Sequence, residues 1–275
     1  MAMTITPNGL GGFRLSQSLV RPVVYLDHWA IRLFSQDMAL QNRFITALHR
    51  SGGTWLFSTA NLMEFTAMSD LEQAARAEAL LLRAIPHLHV ADTTIDKGYH
   101  QQEGAENNAD APEEHWVLRD LGERARITGG RWNTHRFLQD AIEHREELEP
   151  LFADLKKVVS DAVMAIVQDP QLHDAAKKFT PRPGMTLRHA LNSELLREPN
   201  INPEYVFDDN DTMDYIHASP GAIIGDFILL DASWCHKVEQ AKRRLRRGGV
   251  TGRLAATFSS RTVKDFLAAL ESWQD

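Results

Sequence analysis

Three carboxylates in this sequence, Asp27, Glu64 and Asp231, stand at or just beyond the ends of short apolar runs. The runs read Val23-Val24-Tyr25-Leu26, Trp55-Leu56-Phe57-Ser58 and Phe227-Ile228-Leu229-Leu230. Short apolar runs between turn signals are typical of buried strands, and open α/β sheets bind their ligands outside the carboxyl ends of such strands. We therefore expect these acids to gather at one pole of a parallel sheet.

The segment from Asn210 to Trp234 adds further acids around the last of these runs. Asp211 and Asp214 open a helical pattern that continues to His217, and Asp226 directly precedes the run. We assign a catalytic and metal-binding role to four residues: Asp27, Glu64, Asp214 and Asp231. Asp226 is the fifth expected metal ligand, and Asp211 is a sixth candidate that would bind through water or orient a ligand.

Crowded carboxylates repel one another unless a cation lies among them. Mg²⁺ and Mn²⁺ prefer hard oxygen ligands, and such an ion activates water and stabilises a leaving oxygen when a phosphodiester bond is hydrolysed. The 12 histidines show no zinc-type spacing. The sequence therefore predicts a Mg²⁺ or Mn²⁺ site, with His217 as a polar core residue or an orienting residue rather than a ligand.

Each acid also has a structural interpretation that stays open at this point. Asp27 has the position of an N-cap before a helix, and Asn61-x-x-Glu64 has the spacing of a capping box. Asp211 and Asp214 lie near a helix N-terminus, where acids favour the helix dipole without any ligand. The shared location of the acids at strand ends is what favours the functional interpretation.

The composition is that of a folded protein without disulfides. The chain has 275 residues, 43% of them apolar, and a single cysteine, Cys235. One unpaired cysteine, an N-terminus without the apolar core of a signal peptide and the lack of a membrane-length apolar run predict a cytoplasmic protein with no membrane partner. The formal net charge of −7 argues against indiscriminate coating of nucleic acid.

The order of patterns along the chain predicts an α/β fold with an insertion. Strand and helix signals alternate up to about residue 75 after a loose N-terminal lead-in. Residues 93–114 are polar and predict a loop, helical patterns fill most of the middle, and strand signals return at 205–207, 226–231 and 253–257. Pro220-Gly221 predicts a break in the helix that contains His217. We expect a discontinuous α/β domain, residues 20–75 plus 205–275, around an all-helical lobe, residues 76–204.

A basic run follows Asp231 and predicts a nucleic-acid contact. Its members are Lys242, Arg243, Arg244, Arg246 and Arg247, with Lys237 before it and Arg253 after it. A solvated helix face is the alternative. Because the run follows an acidic strand end directly, we expect it to guide a polyanion to the site, with Trp234 available to stack on a base.

The order of Asp27, Glu64, Asp214-x-x-His217, Asp226 and Asp231, each in its strand or helix setting, resembles the PIN-domain family of nucleases over about residues 20–75 and 205–273. The resemblance implies a three-layer α/β/α domain with a central parallel sheet, and metal-dependent hydrolysis, usually of RNA, at these acids. DNA as a substrate, an inhibitor protein and a homo-oligomer are left open. The alternative is a catalytically silent PIN-like module that binds RNA or protein.

Overall fold

The computed structural model describes residues 2–7, 13–91, 115–202 and 204–274. Its strands are β1 (Met3–Pro7), β2 (Phe13–Gln17), β3 (Val23–Leu26), β4 (Thr54–Ser58), β5 (Leu88–Ala91), β6 (Phe227–Leu229) and β7 (Ala256–Phe258). Its helices are α1 (His28–Gln36), α2 (Met38–Ser51), α3 (Thr59–Thr66), α4 (Leu71–Ala84), α5 (His115–Ile127), α6 (Phe137–Glu143), α7 (Arg145–Gln168), α8 (Pro170–Lys178), α9 (Leu187–Leu195), α10 (Arg197–Ile201), α11 (Asp209–Ile224), α12 (Ala232–Arg247) and α13 (Val263–Glu271), and a 3₁₀ turn (Ser260–Thr262) precedes α13.

Five parallel strands in the order β5-β4-β3-β6-β7 form the central sheet. The chain begins this sheet at β3, moves outward through β4 and β5, and returns to the other side of β3 with β6 and β7. The prediction of an α/β protein with a central parallel sheet is confirmed. A reversal of strand order opens a crevice at the carboxyl ends of the two strands that flank it, which here are β3 and β6.

Helices cover both faces of this sheet, an arrangement consistent with three α/β/α layers. On one face, Phe44 of α2 packs edge-on against Trp55 of β4, and Phe266 of α13 packs against Phe227 of β6. On the opposite face, α11 lies against β3 and β6. The buried runs of the sequence are apolar on both sides because both sides are covered.

Close contact between α11 and the sheet depends on Gly221. A Cβ at this position would collide with the side chain of Ile228 and lie 3.0 Å from Cδ1 of Tyr25. The helix continues through Pro220 and Gly221 as far as Ile224. The predicted break at Pro220-Gly221 is therefore wrong: the glycine serves packing, and it brings α11 and its polar side chains next to β3.

Three sequence predictions about strands need correction. The N-terminal lead-in contains the antiparallel hairpin β1-β2, whose Gln17 side chain bonds the backbone N–H and C=O of Val90 at the edge of the sheet. The segment 205–207 forms no strand. Strand β5, which pairs with β4, belongs to the sheet although the predicted boundary would assign it to the helical lobe.

The helical middle packs beside the acid-bearing helices. Helix α6 contacts α3 and α4, and α7 contacts α11. The predicted loop at 93–114 lies outside the described residues, and a division into two domains stays a prediction. Among the described residues, no helix has the length and apolar character needed to span a membrane.

Candidate functional site

The crevice between β3 and β6 contains the two acids that follow these strands. Asp27 comes directly after β3, and its backbone N–H donates to the carbonyl oxygen of Leu229 in β6 at 3.0 Å. Asp231 lies two residues beyond Leu229, immediately before α12. Because β3 and β6 are paired in parallel, their following residues emerge side by side at the same pole.

Glu64 of α3 and Asp214 of α11 complete an acidic cluster at this pole. Carboxylate oxygens of Asp27, Asp214 and Asp231 lie within 4.8 Å of one another, and so do ligand atoms of Asp27, Glu64 and His217. Asp27 belongs to both groups and therefore connects them. The prediction that the four acids gather at one pole of the sheet is confirmed.

Helix capping occupies only one carboxylate oxygen of the two acids at the strand ends. Asp27 has the N-cap position of α1 but makes no side-chain capping hydrogen bond. Asp231 does cap α12, because its Oδ1 accepts the backbone N–H groups of Ser233 at 2.5 Å and Trp234 at 3.0 Å. Its second oxygen has no such role, so both residues retain oxygen atoms that can bind a ligand.

Glu64 is also free of a capping role. The capping box at the start of α3 is formed by Ser58 and Asn61, so the interpretation of Glu64 as the capping residue is wrong. The Asn61 amide additionally donates to the carbonyl oxygen of Leu26 at 2.9 Å, which fixes α3 against the end of β3. Glu64 lies three residues further along α3, on the turn that faces the cluster.

A buried chain of hydrogen bonds holds Glu64 in place. Nε2 of His217 lies 2.6 Å from Oε2 of Glu64, and Nδ1 of His217 lies 2.6 Å from the Tyr25 hydroxyl. Tyr25 in turn contacts the Ser58 hydroxyl at 2.8 Å, and Ser58 donates to Oδ1 of Asn61 at 3.1 Å. Sequence reasoning missed Tyr25, Ser58 and Asn61, although a tyrosine in a buried strand signals that its hydroxyl needs a partner.

The bond from Ser58 to Asn61, at the end of this hydrogen-bond chain, determines which group is the donor in the bonds before it. Ser58 donates its proton to Asn61, so it must accept from Tyr25, and Tyr25 must then accept from Nδ1–H of His217. The Nε2 atom of His217 is left to share a proton with Oε2 of Glu64. Both ring nitrogens of His217 are thus engaged within the protein, in agreement with an orienting role rather than a ligand role.

The cluster perturbs the pKa values of its members. Burial raises the pKa of Asp27 to about 6, although His217 opposes the rise. Burial, reinforced by Asp231 and Asp27, raises the pKa of Asp214 to about 7. Complete burial by itself would lower the pKa of His217, but Glu64, together with Asp27 and Asp214, raises it to about 9. Burial would raise the pKa of Glu64, yet His217 keeps it below its usual value.

Asp226 does not belong to the cluster, and its prediction as a metal ligand is wrong. It precedes β6 and therefore lies at the amino end of the strand, opposite the pole that holds Asp231. Its Oδ2 accepts the backbone N–H of Val23 at 2.7 Å, and its Oδ1 forms ion pairs with Arg21 and Arg253. The carboxylate thus has protein partners that fix the starts of two strands.

Asp211 lies one turn before Asp214 and is likewise engaged by protein groups. The Tyr205 hydroxyl donates to its carboxylate at 2.9 Å, and the Lys237 ammonium group lies 3.3 Å away. The same ammonium group lies 4.2 Å from the ring centroid of Trp234, which is buried. The expectation that Trp234 stacks on a base is therefore wrong, and Asp211 falls outside both ligand groups.

The basic run on α12 does not border the acids. The α-helix rises about 1.5 Å per residue, so the 12 residues between Asp231 and Arg243 correspond to roughly 18 Å along the axis. The exposed members Arg243, Arg244, Arg246 and Arg247 thus lie at the far end of α12. The exposed members of this run do not adjoin the acids, and their contact with nucleic acid stays a prediction.

Two members of the basic run have structural partners. Lys242 is buried and donates to Glu239 at 2.6 Å and to the carbonyl oxygen of Ala255 at 2.8 Å. Arg244 pairs at 2.8 Å with the buried carboxylate of Glu194. Burial removes Lys242 from the candidate nucleic-acid contacts, and Arg244 is held in the ion pair that joins α12 to α9.

Comparisons of the chain with protein-family models, with curated proteins and with solved structures found no significant match. The PIN-type interpretation therefore stays a hypothesis, supported by the residues and the geometry of the site.

The raised pKa values predict that Asp214→Asn stabilises the metal-free protein at pH 8. Between about pH 4 and 7 the folded state binds more protons at Asp27 and Asp214 than the unfolded state, so stability falls as the pH rises. The stabilisation from His217 is complete below about pH 6.5 and is lost as the pH rises through about 9, which adds to this trend. Replacing Asp214 by asparagine removes one buried charge at constant shape.

We expect Asp214→Asn to melt a few degrees higher than wild type at pH 8 in EDTA, with the gain shrinking as the pH falls below about 7 and vanishing only near pH 4. The control is Asp209→Asn, an exposed acid in the first turn of the same helix, whose loss weakens the helix dipole interaction and gives no gain. Melting temperatures from pH 4 to 9 check this. A lower melting temperature for Asp214→Asn at pH 8 would contradict the repulsion described here.

The hydrogen-bond chain predicts that Tyr25→Phe lowers the affinity for Mn²⁺, although Tyr25 is not a ligand. Without the hydroxyl, Nδ1–H of His217 loses its acceptor, and Glu64 loses a fixed orientation. Changes to groups that orient metal ligands cost about 10–100-fold in affinity. The matched control is Tyr205→Phe, whose hydroxyl contacts Asp211 outside both ligand groups. Mn²⁺ titration calorimetry checks this, and equal affinities for the two variants would refute the orienting role.

Proposed function

We propose that this protein is a metal-dependent endoribonuclease of the PIN type, which hydrolyses phosphodiester bonds at the acidic cluster. The observation that carries this proposal is the convergence of Asp27, Glu64, Asp214 and Asp231 at the reversal of strand order. That crevice is where open α/β sheets bind ligands. Four carboxylates at that place, drawn from two strand ends and two helices, suit a site that holds a cation.

The donor set fits Mg²⁺ or Mn²⁺. Asp27, Asp214 and Asp231 offer only carboxylate oxygens, the ligands that these hard ions prefer. Asp214 forms no side-chain hydrogen bond or ion pair among the described residues, and its raised pKa reflects burial and two neighbouring carboxylates. A divalent ion at this place would remove the repulsion that raises these pKa values.

The protein residues would divide the work of hydrolysis between them. Asp27, Asp214 and Asp231 would hold the ion, and the free Oε1 of Glu64 would complete the site from the other side. The ion supplies Lewis-acid stabilisation of the charge that develops on the phosphate. Asp214 can accept the proton that the attacking water loses as its oxygen bonds to phosphorus, and the leaving oxygen takes up a proton from solvent.

The convergence of the acids favours an enzyme over a catalytically silent binding module. A binding module has no use for carboxylates that raise one another's pKa, because their repulsion destabilises the fold without a compensating contact. The hydrogen-bond chain through His217 also fixes the orientation of Glu64. Catalysis requires that the groups that contact the reacting atoms are held in a fixed orientation.

The proposal predicts that Asp27→Asn abolishes most Mn²⁺-dependent RNA cleavage while the protein stays folded. Asparagine keeps the shape of the side chain but removes the charge shared by both ligand groups, and we expect at least a hundredfold loss, the scale of a lost electrostatic contact. The matched control is Asp211→Asn, on a carboxylate outside both groups, which should cleave within a few-fold of wild type. Cleavage of a mixed RNA pool with Mn²⁺ and with chelator provides the measurement. Undiminished cleavage by Asp27→Asn, or cleavage by wild type in excess chelator, would refute the mechanism.

A further inference from the structure

A cleft of about 990 Å³ opens beside the acidic cluster. Three helices form its walls: the second half of α3, residues 145–161 of α7 and the first turns of α11. Glu64 and Asp214, one acid from each ligand group, lie in these walls. The cleft is therefore continuous with the proposed reaction centre, and α7 of the helical middle forms the wall that faces it.

Two cations on α7 line this cleft without a carboxylate partner. Arg145 and Lys156 form no ion pair within 4 Å among the described residues, whereas Lys157 pairs with Asp161. Lys156 is half-buried. Burial raises the pKa of Glu64, and His217, His28 and, to a smaller extent, Lys156 lower it, so Lys156 acts electrostatically on that carboxylate. An ammonium group without a carboxylate partner at the wall of a cleft can bind an anion that a ligand supplies.

The cleft also offers apolar surface next to these cations. Met63 of α3, Phe152 of α7 and Met213 of α11 line it, and all three are largely buried. Its volume lies near the upper end of the range of about 300–1,000 Å³ for clefts that hold a small ligand. It thus combines room for several groups, apolar contacts and cations beside a site for phosphate chemistry.

We propose that this cleft is the substrate groove of the enzyme, and that Lys156 contacts a backbone phosphate of the RNA next to the one cleaved. The proposal rests on the function proposed above and extends it to the helical middle. Arg145, nearer the start of α7, contacts the backbone further along the strand. The phosphate-binding role expected of the α12 run belongs to α7.

An acid in the same cleft provides a second test, because its removal should change the RNA affinity in the opposite direction to the removal of Lys156. Glu149 is exposed on α7, lines the cleft and has no ion pair within 4 Å among the described residues. It repels a polyanion that lies along α7. Removing its charge therefore strengthens RNA binding, while removing the charge of Lys156 weakens it.

The experiment measures the affinity of a fluorescently labelled RNA octamer by anisotropy in Ca²⁺, with the RNA checked for integrity afterwards, at several salt concentrations. For Lys156→Gln we expect about a tenfold weaker affinity and a salt slope reduced by roughly 0.7, the value for one phosphate contact on a single strand. Lys157→Gln, the neighbouring lysine that is paired with Asp161, should bind within twofold of wild type. Glu149→Gln should bind several-fold more tightly. Mn²⁺ affinity should be unchanged for Lys157→Gln and Glu149→Gln. Lys156→Gln should bind Mn²⁺ at least as tightly as wild type, because it removes a positive charge that acts on Glu64.

Several results would overturn the inference. Unchanged affinity and salt slope for Lys156→Gln, or equal losses for Lys156→Gln and Lys157→Gln, would remove the cleft as the RNA groove. Weaker binding of a basic peptide by Glu149→Gln, with unchanged RNA binding, would assign the cleft to a basic protein partner instead. Arg145→Gln provides a second variant should Lys156→Gln fail to fold. Cleavage that survives in Asp27→Asn would refute the proposed function separately, because the binding measurement does not depend on catalysis.

Discussion

Repulsion among carboxylates is the constraint on which this site depends. Asp27, Asp214 and Asp231 bring oxygens within 4.8 Å of one another in a largely buried crevice. Burial weakens the solvent screening that would otherwise relieve such a cluster, so each added charge raises the pKa of its neighbours. The fold must hold these acids together against their repulsion, and it does so through the sheet, which fixes Asp27 and Asp231, and through the close packing of α11 at Gly221.

The hydrogen-bond chain from Glu64 to Asn61 provides the opposing interaction. His217 shares a proton with Glu64 and acts electrostatically on Asp27 and Asp214, and Tyr25 and Ser58 anchor it to β3 and β4. The chain therefore joins α3, α11 and two strands, the elements that carry or adjoin all four acids. Networks of this kind are strong only when every member is satisfied. Here the network ends at Asn61, which forms the capping box of α3 with Ser58, so the start of that helix and the position of Glu64 depend on the same two side chains.

Much of the sheet and the acidic cluster could be predicted because the relevant signals are local. A buried parallel strand needs an apolar run, and the acid that follows it emerges at the carboxyl pole whatever the rest of the chain does. Strand direction also explains the error at Asp226, since an acid that precedes a strand must lie at the opposite pole. The basic run lies further from the acids than its sequence proximity to Asp231 suggests, because α12 leads away from the site. Lys242 even faces inward, a fact set by packing against Ala255.

Other features depended on contacts between distant segments and left little trace in the sequence. Strand β5 is only four residues long and contains His89, so its sequence is too short to indicate a strand by itself. Its pairing with β4 identifies it as part of the sheet. Residues 205–207 have the composition of a strand but do not pair with any strand of the sheet. Lys156 lies in the middle of an ordinary charged helix, and only the packing of α7 against α11 brings it to the acids.

Crystals grown with Mn²⁺ and measured at the manganese absorption edge would test the central claim most directly. The account predicts an anomalous peak at the carboxyl ends of β3 and β6, about 2.1 Å from oxygens of Asp27, Asp214 and Asp231, the bond length of small divalent ions. Asp226 should remain paired with Arg21 and Arg253, away from any peak. A peak elsewhere on the protein, with none at this pole under saturating Mn²⁺, would contradict the account.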